Sequence, residues 1–424
     1  MNWMRSPIRE DWRDSRDWAR CWHEHGKGLI DCCPAAPTSI TMGVVTYPRA
    51  DMSDGHGNNT VAAFDISGTL LWRYDTGNDA DGITSITGQP QIDSSGNVYV
   101  PYRGTASAIG HAGVIKLDSS GSLLWNYDHG SGSGQDSSSA NTRQASDFDN
   151  NGNIVFRTPY HNGGSFDKQF ALVVSPSGSL VTTYTWITTP AAAPGFIYPG
   201  LAIDGSGNLY ACSNNSLTIE KFDSSAAWVS HVAAYGYLAC DKVNGKLYVC
   251  FIHTGGSGSL TSTTQIGARW DLSTTTPTQD WIKTYNDLFS ADTPDYTTGS
   301  PAVPGSPGIG FDASTTTESL AIGRLQSNLG GTHVVCNTVN LSSAGGNNYA
   351  SVLDTRTSSD QITGDSIGVD GIGSHVVAAS NLGRFSDGAC VFALTSGGTS
   401  WASATLAPHG VSNFKGLAIQ TYTP

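Results

Sequence analysis

The residue types best suited to metal binding cluster near the beginning of the chain. Thiol and imidazole side chains follow one another closely at Cys21, His23, His25, Cys32 and Cys33. Zinc binds four such ligands in a tetrahedron, and a short segment without a core of its own would be stabilised by the metal. The spacing differs from that of a standard zinc finger, because it contains no Cys-x-x-Cys pair and adjacent cysteines rarely bind one ion. The sequence therefore indicates a candidate zinc site, with an exposed helix end and loop as the alternative.

A second group of candidate ligands is acidic. Asp147, Asp149 and Asn151 match the first positions of a calcium-binding loop, but the twelfth position is Thr158 instead of a bidentate acid. Similar segments elsewhere in the chain have the same Gly-Asn step without the additional acid. The pattern therefore favours an ordinary β-hairpin over a calcium site.

A repeated sequence motif predicts the secondary structure of the chain beyond its first residues. Residues 64–72 (Phe-Asp-Ile-Ser-Gly-Thr-Leu-Leu-Trp) return as residues 117–125 (Leu-Asp-Ser-Ser-Gly-Ser-Leu-Leu-Trp). Alternating apolar residues lead into an Asp and Gly turn, so each copy predicts a β-hairpin. A second hairpin type, represented by residues 92–100, alternates with the first. Two hairpins per unit form a four-stranded antiparallel sheet, which is one blade of a β-propeller.

The number of hairpins predicts the size of the ring. Seven hairpins of the first type and six of the second are recognisable. Residues 40–45 would supply the missing inner hairpin, and residues 416–422 at the chain's end are similar to residues 199–203. We therefore expect an all-β propeller of seven four-stranded blades over residues 37–424, in which the N- and C-terminal strands pair. Six and eight blades are the alternatives, because residues 271–354 are poorly patterned.

The first hairpin type, Asp-x-x-Gly-x-x-x-Trp, resembles the repeat of the quinoprotein-like propellers, which include the pyrroloquinoline-quinone dehydrogenases. The resemblance extends over residues 40–424, and two copies match well, at residues 65–72 and 118–125. It implies that the repeat tryptophan docks between neighbouring blades. That role is expected for Trp72, Trp125, Trp228, Trp281 and Trp401.

The chain departs from the quinoprotein-like family in the residues that bind the cofactor. Some of these dehydrogenases stack a vicinal disulfide on the quinone within the propeller, whereas Cys32 and Cys33 precede the first predicted blade. The family's inward Glu, Asn and Asp calcium ligands with an Arg partner are also not recognisable. These departures argue against quinone binding.

Residues 1–36 differ from the rest of the chain, since they combine six Lys and Arg with six Asp and Glu. Ser6 can cap a helix, Pro7 suits its first position and Gly26 can end it. We expect an amphipathic helical arm that docks on another chain; folding back over the propeller's own face is the alternative. The residues expected to make the contact are Trp3, Ile8, Trp12, Trp18 and Trp22.

Composition limits the classes of function. Charged residues are 13% of the chain and Gly accounts for 50 of 424 residues, which indicates a surface of small polar groups. The net charge of −13 argues against nucleic-acid binding, and no apolar stretch approaches the roughly 20 residues of a membrane-spanning helix. The first residues, 1–6, lack the apolar core of a secretory signal. This combination is typical of phage virion proteins, which are assembled in the cytoplasm and then act outside the cell.

The cysteines beyond the arm are expected to be free and buried. They lie in apolar strand patterns, where a thiol behaves as a small hydrophobic group. A disulfide framework is not expected in so large a domain with irregular spacing. These cysteines are Cys212, Cys240, Cys250, Cys336 and Cys390.

We therefore expect a non-enzymatic structural protein of a phage virion, a tail or head appendage that binds other virion proteins through its N-terminal arm. One alternative is a secreted quinoprotein-like oxidoreductase. Another is a glycan-binding propeller that acts through long Gly-, Ser- and Thr-rich rim loops at residues 128–146, 185–200, 253–266 and 283–308. Aromatic residues in these loops are Phe196, Tyr198, Tyr285, Phe289 and Tyr296.

Overall fold

The computed structural model describes residues 40–48, 59–65, 67–76, 83–86, 88–104, 111–130, 145–162, 165–187, 200–213, 218–251, 265–284, 309–311, 320–327, 333–340, 349–355, 368–372, 375–380, 390–395, 398–403 and 416–422. Between residues 309 and 403 the description is limited to the course and pairing of the strands. The predicted arm, residues 1–36, lies outside the described residues. The described residues form strands and no helix, and so include no helix long and apolar enough to cross a membrane.

The strands form seven sheets, numbered here as blades 1 to 7. Blade 1 contains β1 (Ile40–Pro48), β2 (Asn59–Asp65) and β3 (Leu70–Thr76), and the last strand of the chain, β29 (Gly416–Tyr422), completes it. Blade 2 contains β4 (Ile83–Ile86), β5 (Gln91–Ile92), β6 (Val98–Gly104), β7 (His111–Leu117) and β8 (Leu123–Asp128). Blade 3 contains β9 (Ser146–Phe148), β10 (Ile154–Asn162), β11 (Ser165–Val174) and β12 (Leu180–Ile187). Blade 4 contains β13 (Leu201–Ile203), β14 (Leu209–Ser213), β15 (Thr218–Phe222) and β16 (Trp228–Val232).

The remaining blades have the same four-stranded plan. Blade 5 contains β17 (Gly236–Asp241), β18 (Lys246–Phe251), β19 (Gln265–Asp271) and β20 (Thr278–Thr284). Blade 6 contains β21 (Ile309–Phe311), β22 (Leu320–Ser327), β23 (His333–Asn340) and β24 (Tyr349–Thr355). Blade 7 contains β25 (Gly368–Ile372), β26 (His375–Ser380), β27 (Cys390–Thr395) and β28 (Gly398–Ser403).

The blades close into a ring through their first strands. Each first strand contacts that of the next blade, in the order β29, β5, β9, β13, β17, β21, β25 and back to β29. Within blade 1 the order β29-β1-β2-β3 places the C-terminal strand innermost, beside the N-terminal strand. The described strands form a seven-bladed β-propeller, which confirms the predicted all-β propeller class, while the predicted helical arm is outside the described residues.

Blade 2 departs from the plan because of one proline. Its inner strand is divided into β4 and β5, which both pair with β6. Pro101 lies in β6, and its carbonyl accepts a hydrogen bond from the N–H of Gly88, which lies between the two pieces. Proline has no N–H to return the second bond of an antiparallel pair, so the inner strand is interrupted there.

The alternating strand direction sorts the connections onto two faces of the ring. Turns between the first and second strands, and between the third and fourth strands, share one face, which we name the turn face. Connections between the second and third strands, and between blades, leave from the opposite face, the loop face. All four long segments predicted as rim loops connect strand ends on the loop face.

Aspartate side chains close the hairpins on the turn face. Asp65 accepts hydrogen bonds from the N–H of Ser67 at 2.8 Å and of Thr69 at 2.9 Å, while Gly68 takes a φ of 82°. This positive φ is the conformation for which glycine is favoured. Equivalent side-chain bonds form at Asp93, Asp118, Asp149, Asp204 and Asp223.

Apolar cores fill the spaces between neighbouring blades. Val114 of blade 2 packs in one cluster with Phe156 and Leu172 of blade 3, all without solvent exposure. Because both faces of a blade meet another blade, inner strands are apolar nearly throughout. All five residues of β14 are buried for this reason.

Candidate functional site

The repeat tryptophans of blades 1 and 2 contact the turn of the following blade. Trp72 donates a hydrogen bond from Nε1 to the carbonyl of Ser119, 2.9 Å away, and its ring lies over Gly121. A Cβ on that glycine would come within 2.7 Å of the indole. One blade later, Trp125 donates to the carbonyl of Pro176 at 3.0 Å. Trp72 and Trp125 therefore each join their own blade to the next one.

Strand register defines the docking position. Trp125 lies opposite Lys116, and Lys116 is the residue two positions before the turn aspartate Asp118. We call this place on the outermost strand the docking position. Lys116 Nζ donates to the Pro176 carbonyl at 3.2 Å. One backbone oxygen of blade 3 therefore accepts from two side chains of blade 2. The same register position is occupied by Trp72, Trp281 and Trp401.

The contacts of the last two tryptophans are described only in part. The ring of Trp281 lies 5.9 Å from the Arg269 guanidinium and 6.3 Å from the Tyr248 ring, both in its own blade. The side chains of blade 6 and of Trp401 lie outside the described part of the chain. Docking of Trp281 and Trp401 therefore stays a prediction.

Trp228 does not take the docking position, which corrects the role expected for it. It lies five residues after Asp223, instead of the seven that separate Asp118 from Trp125, and its indole donates to Glu220 Oε2 of its own blade at 2.7 Å. The docking position belongs to Ser230, which donates to the carbonyl of Thr275 in blade 5. Trp228 is left 57% exposed.

A single carboxylate joins three blades at the turn face. Asp147 Oδ1, in blade 3, accepts a hydrogen bond from Lys242 Nζ of blade 5 at 2.9 Å. Asp147 Oδ2 accepts from the N–H of Ile203 in blade 4 at 2.8 Å. Lys242 Nζ also donates to the carbonyl of Phe148 at 2.7 Å. Charge-assisted bonds of this length are among the stronger polar contacts in proteins.

The predicted calcium ligands take part in these structural contacts. Asp149 Oδ1 accepts from the N–H groups of Asn151 and Asn153, and Oδ2 accepts from Asn153 Nδ2. Asp93 and Asp204 form the same arrangement, so residues 149–153 make the ordinary hairpin that the pattern favoured. Asp147 faces an ammonium group instead of a shared cation site with Asp149.

The part of the chain that the structure describes contains no group of three or more His, Cys, Asp or Glu that could hold a metal. The candidate zinc ligands lie outside it, at Cys21, His23, His25, Cys32 and Cys33, as do the arm's predicted contact residues Trp3, Ile8, Trp12, Trp18 and Trp22.

The two described thiols are free and buried, as predicted, and are not activated. Burial raises the pKa of Cys212 to about 11, and the thiol donates to the carbonyl of Gly236. Burial also raises the pKa of Cys240. Since the thiolate is the reactive form, both side chains are structural at neutral pH.

Sequence reasoning missed a β-bulge on the outermost strand of every blade. In blade 2, Lys116 lies opposite Trp125 and Leu117 lies opposite Leu123, so Leu124 has no residue opposite it. A bulge of this kind changes the direction in which side chains point. The corresponding residues are Leu71, Leu124, Val181, Val229, Asp280, Leu353 and Ser400.

In blades 1 to 4 these bulges expose large apolar side chains. Exposed fractions range from 40% to 57% for residues that lie at the bulge or immediately before it. We name this set the apolar rim: Leu70, Leu71, Leu123, Leu124, Leu180, Val181 and Trp228. Scattered single apolar residues on a surface are ordinary, but a set repeated at one position in four consecutive blades is a candidate interaction surface.

Blade 5 uses the same bulge differently. Its bulge residue, Asp280, forms ion pairs with Arg269 Nε at 2.9 Å and Lys246 Nζ at 3.1 Å. The residue before it is the exposed polar Gln279. Among the described side chains, the apolar rim therefore stops before blade 5, where polar and ionic side chains replace the apolar ones.

Comparison with known proteins finds structural neighbours of low similarity. No protein-family model and no curated protein sequence matches the chain. Among solved structures, a protein of unknown function from Bacteroides caccae is 14% identical with a TM-score of 0.44, covering 76% of this chain and 94% of its own. Virginiamycin B lyase from Staphylococcus aureus is 11% identical with a TM-score of 0.43, covering 81% and 97%. An ulvan lyase of a polysaccharide lyase family is 10% identical with a TM-score of 0.46, covering 86% and 92%.

With identities of 14% or less and TM-scores below 0.5, these structures assign neither a family nor an activity to this chain. The finer assignment to the quinoprotein-like family stays a prediction.

Proposed function

We propose that the protein is a non-enzymatic structural and interaction protein, a component of a phage virion that displays its propeller outwards. The observation that supports it is the use of charged groups on the turn face. Asp147 and Lys242 tie blades 3 to 5 together, and the turn aspartates hold their own hairpins. Charges used in this way stiffen a scaffold.

Two further features support this role. The low charge content and many small polar residues suit a protein that acts outside the cell. The apolar rim offers a surface on which another subunit can bury area. In this proposal residues 1–36 anchor the chain to a neighbouring virion protein.

Localisation tests the proposal directly. Antibodies against the purified propeller should label intact particles in immunogold electron microscopy, and mass spectrometry of purified particles should detect the chain. A chain deleted for residues 1–36 should fold but fail to enter particles. Absence of the full chain from particles would overturn the structural role, as would a quinone- and calcium-dependent absorbance band accompanied by dehydrogenase activity.

Glycan binding is a second candidate, favoured by the topology of the ring. The four long segments that carry aromatic residues all connect strand ends on the loop face, so they are attached to one side of the molecule. Aromatic rings can stack on the apolar faces of sugars. A glycan array should then give a specific signal that Tyr198→Ala and Tyr285→Ala weaken and Val243→Ala, on the turn face, does not. An array without signal would remove this candidate.

A further inference from the structure

We propose that the apolar rim of blades 1 to 4 is the docking surface for a neighbouring protein whose own surface is apolar and bordered by Lys or Arg. The inference rests on the proposed function, since it states where an assembly partner binds and what chemistry that partner has. It concerns described residues of the propeller only.

The rim is a built feature of the fold because its position is set by the bulge. Leu124 and its counterparts have no opposing residue, and the bulge directs their side chains away from the regular ladder. The half of each aliphatic side chain that stays in water in the isolated ring would contribute favourable free energy if a partner buried it. Blade 5 places Asp280 at the same position and pairs it with two cations, so the bulge does not require an apolar residue.

The partner's charge follows from the turns beside the rim. Asp65 and Asp118 each begin the turn that leads into an exposed apolar pair of blade 1 or 2, and Asp223 begins the turn that leads into the exposed Trp228 of blade 4. The hydrogen bond from Ser225 Oγ, together with backbone N–H bonds from Ala227 and Ser225, lowers the pKa of Asp223. The carboxylates beside the rim are therefore ionised at neutral pH. An apolar surface bordered by acids is complementary to an apolar surface bordered by bases.

Two other occupants fit less well. A second copy of the chain docked rim to rim would bring these carboxylates face to face, and the chain already carries a net charge of −13. An added β-strand would need a regular edge, but the bulge interrupts the edge strand of each blade. Binding through side chains to a basic partner remains the arrangement that the contacts support.

A peptide probe tests the surface with purified full-length protein. The probe is a synthetic amphipathic helix of Leu and Lys with a fluorescent label, and the comparison peptide has Glu in place of Lys. The decisive variant is the triple substitution Leu71→Asn, Leu124→Asn and Val181→Asn, which leaves the net charge unchanged. We expect the triple variant to bind the Lys peptide about ten-fold or more weakly than the wild type, measured by fluorescence anisotropy.

Val243→Asn is the matched control. Val243 is 87% exposed on the turn face of blade 5, outside the rim, so its substitution should leave peptide binding unchanged. Circular dichroism melting of each variant should give a wild-type Tm, because the substituted side chains are half exposed. The Glu peptide should bind much more weakly than the Lys peptide.

Several results would overturn the inference. The first is equal peptide binding by the wild type and the triple variant, and the second is an equal loss of peptide binding in the triple variant and in the Val243→Asn control. The third is self-association in sedimentation velocity that the triple substitution abolishes. The fourth is binding to neutral phosphatidylcholine vesicles that the triple substitution abolishes. The virion role is judged separately. If the triple variant enters particles like the wild type, the rim inference alone fails; if the wild type is absent from particles, the virion role fails while the peptide result still decides the rim.

Discussion

Lys242 and Asp147 belong to blades 5 and 3, yet their side chains meet at 2.9 Å across the inner end of blade 4. The same carboxylate accepts the N–H of Ile203 from the blade between them. One acidic side chain thus couples three radial sheets that have no backbone ladder in common. This part of the turn face should resist separation of the blades more than pairwise packing alone would.

Removing the carboxylate should therefore destabilise the ring more than removing the ammonium group. Asp147→Ala leaves the Ile203 N–H without its acceptor, and we expect a loss of about 2–3 kcal/mol. Lys242→Met removes a partly exposed ion pair and should cost about 1 kcal/mol. Urea unfolding followed by circular dichroism measures both. Lys283→Met in β20 is the control, and a loss from it as large as that from Asp147→Ala would contradict the three-blade coupling.

Two glycines separate the cost of backbone strain from the cost of displacing a docked indole. Gly121 and Gly152 both have positive φ, at 86° and 74°, but a Cβ on Gly121 would lie 2.7 Å from Trp72 while nothing lies within 4 Å at Gly152. Gly152→Ala should cost about 1–2 kcal/mol from strain alone. Gly121→Ala should cost more, because the indole must also move.

A double-mutant cycle provides the measurement. Once Trp72 is replaced by Ala, the further substitution Gly121→Ala should cost no more than Gly152→Ala does in the wild type. Free energies of unfolding that simply add would mean that the indole and the turn do not contact each other.

The hairpin plan could be predicted because its signals are local. An Asp and a Gly a few residues apart close each turn through short-range hydrogen bonds. The turn from Asp65 to Thr69 can therefore be predicted from these five residues alone. The last strand was also foreseeable from its similarity to other inner strands. In contrast, the contact of Asp147 with Lys242 spans 95 positions, and no spacing rule connects them.

Register accounts for the two features that sequence patterns did not reveal. Trp228 matched the repeat by residue type but lies two residues too close to its aspartate, which places it outside the docking position. The exposed Leu-Leu pairs were visible as strand residues, but their exposure depends on a bulge that is defined only against the neighbouring strand. Turns can be predicted from a few consecutive residues, whereas register and bulges can be assigned only when the partner strand is known.

The free energy of unfolding should fall at alkaline pH because a buried thiol and a buried phenol have raised pKa values in the folded protein. Burial raises the pKa of Cys212 to about 11 in the folded protein, above the ordinary thiol value of 9.0. The unfolded chain therefore loses this proton first, so the contribution is complete below pH 9 and is lost as the pH rises toward 11. Burial also raises the pKa of Tyr210, which acts in the same direction.

The test is the dependence of Tm on pH between these limits. Cys212→Ala should show a shallower decline than the wild type, even if its Tm at neutral pH is lower. Folded protein at pH 8 should also resist alkylation at this position, as shown by peptide mass spectrometry. An unchanged slope in the variant would mean that Cys212 titrates equally in the folded and unfolded states.

Trp125 and Trp228 should differ sharply in their contribution to stability, although both follow the same repeat aspartate. Trp125 bonds to Pro176 of the next blade and packs edge-on to Tyr99 at 5.8 Å, so Trp125→Ala should cost about 3 kcal/mol. Trp228 is largely exposed and bonds only to Glu220 among the described residues, so Trp228→Ala should cost about 1 kcal/mol or less.

Urea unfolding of the two variants under identical conditions gives the comparison. If Trp228→Ala is as damaging as Trp125→Ala, the indole packs between blades after all and is no part of an exposed rim. If it is nearly silent in stability but weakens binding of the Leu and Lys peptide, the side chain serves association instead of folding. The two residues then show how a shift of two positions within one repeat moves a tryptophan from the contact between two blades to the exposed apolar rim.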